Sequence, residues 1–205
     1  LTHEGLTKLN NLSPHYKTER LMLRPFTISD WDHYAAYHSC SDVYRYLYAV
    51  APTGSALDEQ FRAILAAKFE NDGDVFRLAV VRQQDRRVVG ETLLKMASRK
   101  ALQGEIGYIF NPAFAGNGYA TEAATAMLRI GFEEIGFHRI YARLDALNSG
   151  SLGVVERLGF RREAHLIQND RFDGRWGDEY VCAMLKAEWR QKSSTSLADV
   201  KRPGN

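Results

Sequence analysis

Residues 115–121 read Ala-Gly-Asn-Gly-Tyr-Ala-Thr and lead into Glu-Ala-Ala-Thr-Ala-Met-Leu, a run suited to a helix. A glycine-bearing turn that enters a helix can bind an anion. The first helical turn leaves backbone N–H groups unpaired, and the positive end of the dipole lies there. Gly116 and Gly118 would let a phosphate approach without meeting a side chain. The same turn could also join a strand to a helix with no ligand at all. Two nucleotide readings fail on the residues themselves. A P-loop needs a lysine after its last glycine, and none follows Gly118. A dinucleotide fingerprint needs a third glycine where Thr121 stands, and a place after the first strand of a domain.

Other residues have types that could do chemistry. Asn148 and Ser151 are spaced as Asn-x-x-Ser, and Asn148 or Ser149 can equally cap the helix that follows. Glu105 and Asp170 are carboxylates near strand starts and turns, where a solvated charge or simple turn chemistry is the alternative. Cys40 and Cys182 have no CxxC or Cys/His spacing, so neither a disulfide framework nor zinc is expected, only two buried thiols. No metal is expected.

The composition limits the function classes. With 27 basic and 25 acidic residues, the net charge is only +2 and the arginines are scattered among acids, which disfavours nucleic-acid binding. No window approaches the apolar length of a membrane span, and the amino end lacks the apolar core of a signal peptide. A cytoplasmic protein is therefore expected, with no membrane partner. Residues 1–17 and 191–205 are polar and without period, and are read as flexible ends around a single domain at 18–190.

Within that domain the periodicity outlines the elements. Glu19 to Pro25 alternates as a strand, with Leu21 and Leu23 on one face. Ser29 and Asp32 suggest a capping box opening a helix through Trp31, Tyr34, Ala35 and His38. A second helix is expected from Ser55 through Phe69, its apolar face built on Phe61, Ile64 and Leu65. From Asp74 the period becomes two. Phe76 to Val80, Val88 to Ala97 with a possible bulge at Gly90, and Glu105 to Phe110 form a meander. A helix from Thr121 to Ile135 stops at Gly136, and the strand His138 to Asp145 then arrives parallel to the one before the turn. A short helix ends at Gly159, and strands near Phe160 to Gln168 and Gly177 to Leu185 flank Asp173-Gly174.

The segments EIGYIFNPAFAGNGYATEA and NSGSLGVVERLGFRRE, with ERLMLRPFTISDW before and DGRWGDEYVCAMLKAEW after, resemble the GNAT superfamily of N-acetyltransferases. Within it they resemble the RimJ/RimL type, which acetylates ribosomal-protein N-termini. The resemblance covers about residues 17–190. The family's phosphate signature, Q/R-x-x-G-x-G/A, falls on Ala115 to Ala120; Gly118 and Ala120 match, and Ala115 departs from Gln or Arg. Since main-chain N–H groups do the holding, that departure should cost little.

The resemblance implies an α/β (α+β) GNAT fold, with a mixed, mostly antiparallel sheet of about seven strands, a splayed central parallel pair and helices on both faces. It implies acetyl-CoA as cosubstrate. Ala115, Gly116, Gly118, Ala120 and Thr121 would hold its pyrophosphate, and the main chain of Ile109 and Phe110 its pantetheine. Asn148 would order that arm, and Ser151 would stand near sulfur to stabilise or protonate the thiolate.

Attack on a thioester needs a neutral amine. An α-amine with pKa near 7.8 is roughly 14% neutral at pH 7, against about 0.04% for a lysine. A protein N-terminus is therefore the expected acceptor, with a polyamine or aminoglycoside as the alternative and a non-catalytic coenzyme-binding module as a third reading. Glu105 is the first candidate base and Asp170 the second; His138 lies on the wrong side of its strand. The main-chain N–H of Phe110 or Asn111 would serve the developing oxyanion. Tyr44, Tyr46, Arg171 and Trp176 are expected around the acceptor, though aromatic residues there could equally be core. Monomer and homodimer both fit.

Overall fold

The structure, a computed structural model, describes Ser13 and residues 15–199, with side chains to residue 192. The chain forms β1 (Tyr16–Lys17), β2 (Leu21–Arg24), α1 (Trp31–His38), α2 (Ser41–Tyr44), α3 (Ser55–Ala66), β3 (Val75–Arg82), β4 (Val88–Ser98) and β5 (Gln103–Phe110). There follow α4 (Tyr119–Arg129), extended by a π-helical turn at Ile130–Ile135, then β6 (Arg139–Asp145), α5 (Ser149–Leu158), β7 (Arg161–Phe172), β8 (Arg175–Leu185) and α6 (Lys186–Asp199). The strands make one sheet in the order β1-β2-β3-β4-β5-β6-β8-β7, in which only β5 and β6 are parallel. Among the described residues, no helix is long and apolar enough to cross a membrane.

The expected sheet is present with one strand more than the sequence suggested. Tyr16 and Lys17, expected in a flexible extension, pair with Leu23 and Met22. The rest of that extension, apart from Ser13 and His15, lies outside the described residues. At the other end helix continues past residue 191 to Asp199, where a polar tail was expected.

The period-two pattern of β2 works as read: Leu21 and Leu23 are fully buried. The capping box lies two residues earlier than expected and opens a 3-10 turn, Ile28–Asp30, that leads into α1. Asp30, not Asp32, closes the capping box by accepting the Thr27 N–H at 2.8 Å, and it also grips the Arg24 guanidinium at 2.6 and 2.7 Å. Burial would raise the Asp30 carboxyl, but Arg24 and Thr27 outweigh it and hold it below the usual range.

Helices cover both faces. On one, Met127, Leu128, Ile130 and Phe132 pack with Leu94, Ile106 and Ile140 of the strands, and each such buried side chain contributes about 1.5–3 kcal/mol. On the other, α1 and α3 set Tyr34, Tyr37, Leu57 and Phe61 over Ala79, Val81 and Val88. The bulge near Gly90 is real. The register steps from Val80 opposite Gly90 to Val81 opposite Val88, so the extra residue is Val89. Cys182 is buried as expected, whereas Cys40 is only half-buried.

Candidate active site

The parallel pair is joined over three positions only: Gln103 with Arg139, Gly104 with Ile140 and Glu105 with Tyr141. Beyond Glu105 the two strands part, because each is held by its outer neighbour. β5 stays on β4 as far as Phe110 opposite Gly90, and β6 stays on β8 as far as Asp145 opposite Glu179. A cleft of about 710 Å³ opens in the gap, bounded by residues 106–110, 142–145 and 115–121 and by the start of α5.

The direction of the strand's polar groups follows from one bond. The Asn111 N–H reaches the Val89 carbonyl at 3.0 Å, which places the odd-numbered residues of β5 in the hydrogen-bonded pairs with β4. The even-numbered ones, Ile106, Tyr108 and Phe110, therefore turn their N–H and C=O groups into the cleft. Phe110 is thus placed where it was expected, whereas the Ile109 main chain faces β4; Ile109 still borders the cleft and packs against the Tyr34 and Phe61 cluster. The same bond occupies the Asn111 N–H and removes it as an oxyanion donor, leaving Phe110.

At the mouth of the cleft, Gly116 and Gly118 adopt left-handed backbone, with φ of 76° and 75°. A Cβ at Gly116 would meet nothing within 4 Å, and one at Gly118 only the Arg20 guanidinium at 3.6 Å. The first N–H of α4 to find a helical acceptor outside its own first turn is Glu122, on Gly118 O at 3.1 Å. The N–H groups of residues 119–121 thus point along the axis into open space, with the positive dipole end behind them. This cradle fits a pyrophosphate. Ala115, Gly116, Gly118, Ala120 and Thr121 all line it.

Two arginines that the sequence reading did not select complete the cradle. Arg20 donates to the Asn117 carbonyl at 2.9 Å and binds Glu122 at 2.7 Å, which fixes the turn to the start of α4. Burial would raise the Glu122 carboxyl, but Thr18 and Arg20 lower it below the usual range. Arg157 of α5 reaches Thr121 Oγ1 at 3.2 Å and lines the cleft, bringing an exposed cation beside the open N–H groups. Its signal in the sequence was its place six residues, nearly two turns, beyond Ser151 of the Asn-x-x-Ser element.

Asn148 caps α5: its Oδ1 accepts the Ser151 N–H at 3.0 Å. Both residues also line the cleft, so the cap does not take them away from it. Tyr108 donates its hydroxyl to the Ser151 carbonyl at 3.1 Å, and burial pushes that phenol up to about 12.

The expected base and acceptor residues are less uniformly placed. Glu105 sits at the vertex of the splay, half-buried, with the Tyr141 hydroxyl at 3.4 Å; it is outside the cleft lining. Asp170 is exposed on β7 and accepts the Arg171 N–H at 2.7 Å. Tyr46 lines the cleft, whereas Arg171 and Trp176 stack on each other on the exposed β7–β8 hairpin. Tyr44 turns inward. Its hydroxyl lies 2.8 Å from His38 Nδ1, in a buried network where His38 Nε2 and the Tyr37 hydroxyl meet Glu91 at 3.2 and 3.1 Å and Arg77 pairs with the same carboxylate. Among the described residues no group of ligating side chains could hold a metal.

A strand splay opening on a helix N-terminus, with this sequence around it, defines the class: the chain belongs to the GNAT acetyltransferases, residues 20–161 matching the family described as Acetyltransferase (GNAT) domain. It is an acyltransferase, with acetyl-CoA as cosubstrate. It is similar to an uncharacterized N-acetyltransferase of Bacillus subtilis, YnaD, at 33% identity over 85% of this chain and 99% of that one. A GNAT-family acetyltransferase from Bacillus anthracis superposes with a TM-score of 0.76 at 32% identity, over 85% of this chain and 99% of that chain. The spermidine N-acetyltransferase of Vibrio cholerae, solved with CoA and spermine, shares the fold at a TM-score of 0.73 and 20% identity, over 84% and 99%.

Proposed function

We propose that the protein transfers acetyl to the N-terminal α-amine of a polypeptide, in the manner of the RimJ/RimL group, with a ribosomal-protein N-terminus as the kind of acceptor. The observation that carries the transfer reaction is the splay between β5 and β6, which turns the Tyr108 and Phe110 main chain toward an open cradle at residues 115–121. The acceptor follows from proton chemistry, since a far larger fraction of an α-amine than of a lysine is the neutral nucleophile, and it asks less of a base.

Bound acetyl-CoA supplies the activated thioester. The cradle N–H groups and Arg157 hold its phosphates, and the inward groups of β5 other than the Phe110 N–H hold the pantetheine as an added strand. The Phe110 N–H steadies the carbonyl oxygen as charge develops on it. Ser151, at the start of α5 and in the cleft lining, offers its hydroxyl to the leaving sulfur. Glu105 at the splay vertex accepts the amine proton through a water, since its carboxylate lies outside the cleft lining. No cysteine takes a covalent part.

The polyamine reading has one observation in its favour, the shared fold of the spermidine N-acetyltransferase. Thiol release from acetyl-CoA, measured against N-terminal peptides and against spermidine, separates the two: peptides should have the higher kcat/KM. Release with spermidine alone would reverse the assignment. For the base, Glu105→Gln should lower kcat by about 10²-fold and flatten the acid limb of the pH–rate profile. An unchanged profile would remove Glu105 from that role.

A further inference from the structure

Two carboxylates among the described residues border the cleft, the exposed Asp42 and the buried Asp145. Asp145 ends β6 and is only 8% exposed, so its charge has lost most of its water. A carboxylate so buried is ordinarily matched by a cation. Here both side-chain partners are neutral: Oδ2 accepts the Tyr48 hydroxyl at 2.6 Å, and Oδ1 accepts the Leu147 N–H at 2.7 Å. A carboxylate offers about four lone-pair positions, so about half of its accepting capacity remains. Tyr48 is itself seated against Gly177, which fixes the carboxylate in place.

The side chain belongs to the acceptor side of the sheet. Ala142 and Leu144 pack in the core under α4 and α5, which turns Arg143 and Asp145 to the other face of β6. Glu179 stands opposite Asp145 on β8 and shares that face, and Val43, packed on the α1 and α3 cluster, borders the cleft from the same side. The cation of this face is already taken: Arg143 pairs with Glu179 at 2.6 Å. Arg45 and Arg171 lie over the Tyr46 and Trp176 rings. Burial raises the Tyr48 phenol, and the Asp145 bond together with the charges of Asp145, Asp170 and Glu179 raise it further, so the field at this hydroxyl is negative.

We infer that Asp145 binds a second positive charge on the acceptor, so that the preferred polypeptide carries lysine or arginine just after its α-amine. The inference rests on the protein N-terminus reading and adds sequence selectivity to it. A carboxylate left to the α-amine alone favours the ammonium form, which cannot attack a thioester. A lysine or arginine side chain seated on Asp145 cancels that bias. Spermidine also carries further positive charge beside its reacting amine, and it serves as the competing acceptor in the test.

The test uses the full chain, acetyl-CoA and two peptides that differ only in having lysine or serine at their second position, with spermidine as a third acceptor. The wild type should favour the lysine peptide by about tenfold in kcat/KM at low ionic strength, and by less at about 0.5 M salt. Asp145→Asn keeps an oxygen for the Leu147 N–H and a polar group for the Tyr48 hydroxyl but removes the charge, and the preference should shrink to within about twofold. Equal kcat/KM for both peptides in the wild type overturns the inference while leaving the N-terminus reading intact. So does a preference that survives Asp145→Asn, including one that falls instead in Asp42→Asn. Should Asp145→Asn fail to fold, the wild type decides alone: a lysine preference that salt does not reduce overturns the inference. Acetylation of spermidine with both peptides inert removes the N-terminus reading and the peptide selectivity with it.

Discussion

Gly177 and Tyr48 are coupled strongly enough that the sign of one substitution should depend on the other. Gly177 lies in the ladder opposite Asp170, and a methyl there would stand 2.2 Å from the Tyr48 hydroxyl and 2.7–2.8 Å from its ring. The ring tip is the part able to yield, and yielding breaks its 2.6 Å bond to Asp145. A hydrogen bond to a charged acceptor contributes about 1.5–3 kcal/mol, and the half-buried setting of Tyr48 argues for the lower end. Against that loss, alanine in place of glycine within a strand gains about 0.5–1 kcal/mol. Gly177→Ala should therefore destabilise the wild type by about 1 kcal/mol, or about 2–4 °C in Tm for a chain of this size. In a Tyr48→Ala background no ring is present to displace, and the same change should raise Tm by about 1–3 °C. The coupling from the four-protein cycle is then about 2 kcal/mol. Calorimetric or urea unfolding of the set provides the measurement. Equal effects of Gly177→Ala in both backgrounds would show that the phenol is not seated on Gly177, and would detach the strap at 44–50 from the hairpin.

Three further outcomes follow from the same geometry. Burial would raise the Glu91 carboxyl, but Arg77, His38 and Tyr37 bring it below its ordinary 4.5, so its stabilising effect is complete above that pH and is lost as pH falls through the lower folded value. Glu91→Gln should cost about 3 kcal/mol at neutral pH, and the Tm gap to wild type should narrow below pH 4.5; a gap constant with pH would contradict the buried ion pair. Gly118→Ala, at φ 75°, should cost only about 1 kcal/mol of stability yet weaken acetyl-CoA binding about tenfold, because relief of the left-handed strain shifts the turn that presents the N–H groups, the added Cβ itself meeting only the Arg20 guanidinium at 3.6 Å. An unchanged Kd would place the phosphates elsewhere. Arg157→Ala should raise the acetyl-CoA Kd about fivefold and reduce its dependence on salt, read by calorimetry at two ionic strengths.

Local signals carried much of the fold. The alternation of Leu21 and Leu23, the switch to period two after Asp74 and the helix ending at Gly136 each depend on near neighbours, and the structure follows them. The cap moved from Ser29 to Thr27 because Asp30 serves Arg24 as well, a second bond that helix-start rules do not include. The turn at 115–121 was legible because a pair of left-handed glycines before a helix is a local signal. The acceptor side was not. Tyr44 reads like Tyr46, yet the buried Glu91–His38 pair draws it inward. Tyr48 and Asp145 are 97 residues apart, and nothing local in either segment announces the other. The alternation that turns Phe110 inward and Ile109 away depends on the register with β4, which one strand cannot reveal.

Amide resonances of the isotope-labelled full chain, followed as CoA is added, test most directly that bare main-chain N–H groups hold the coenzyme. The largest shifts should fall at Gly116, Gly118 and residues 119–121, with a second set at Tyr108 and Phe110. Saturation of binding with those resonances unmoved, and shifts concentrated on another face of the sheet, would contradict it.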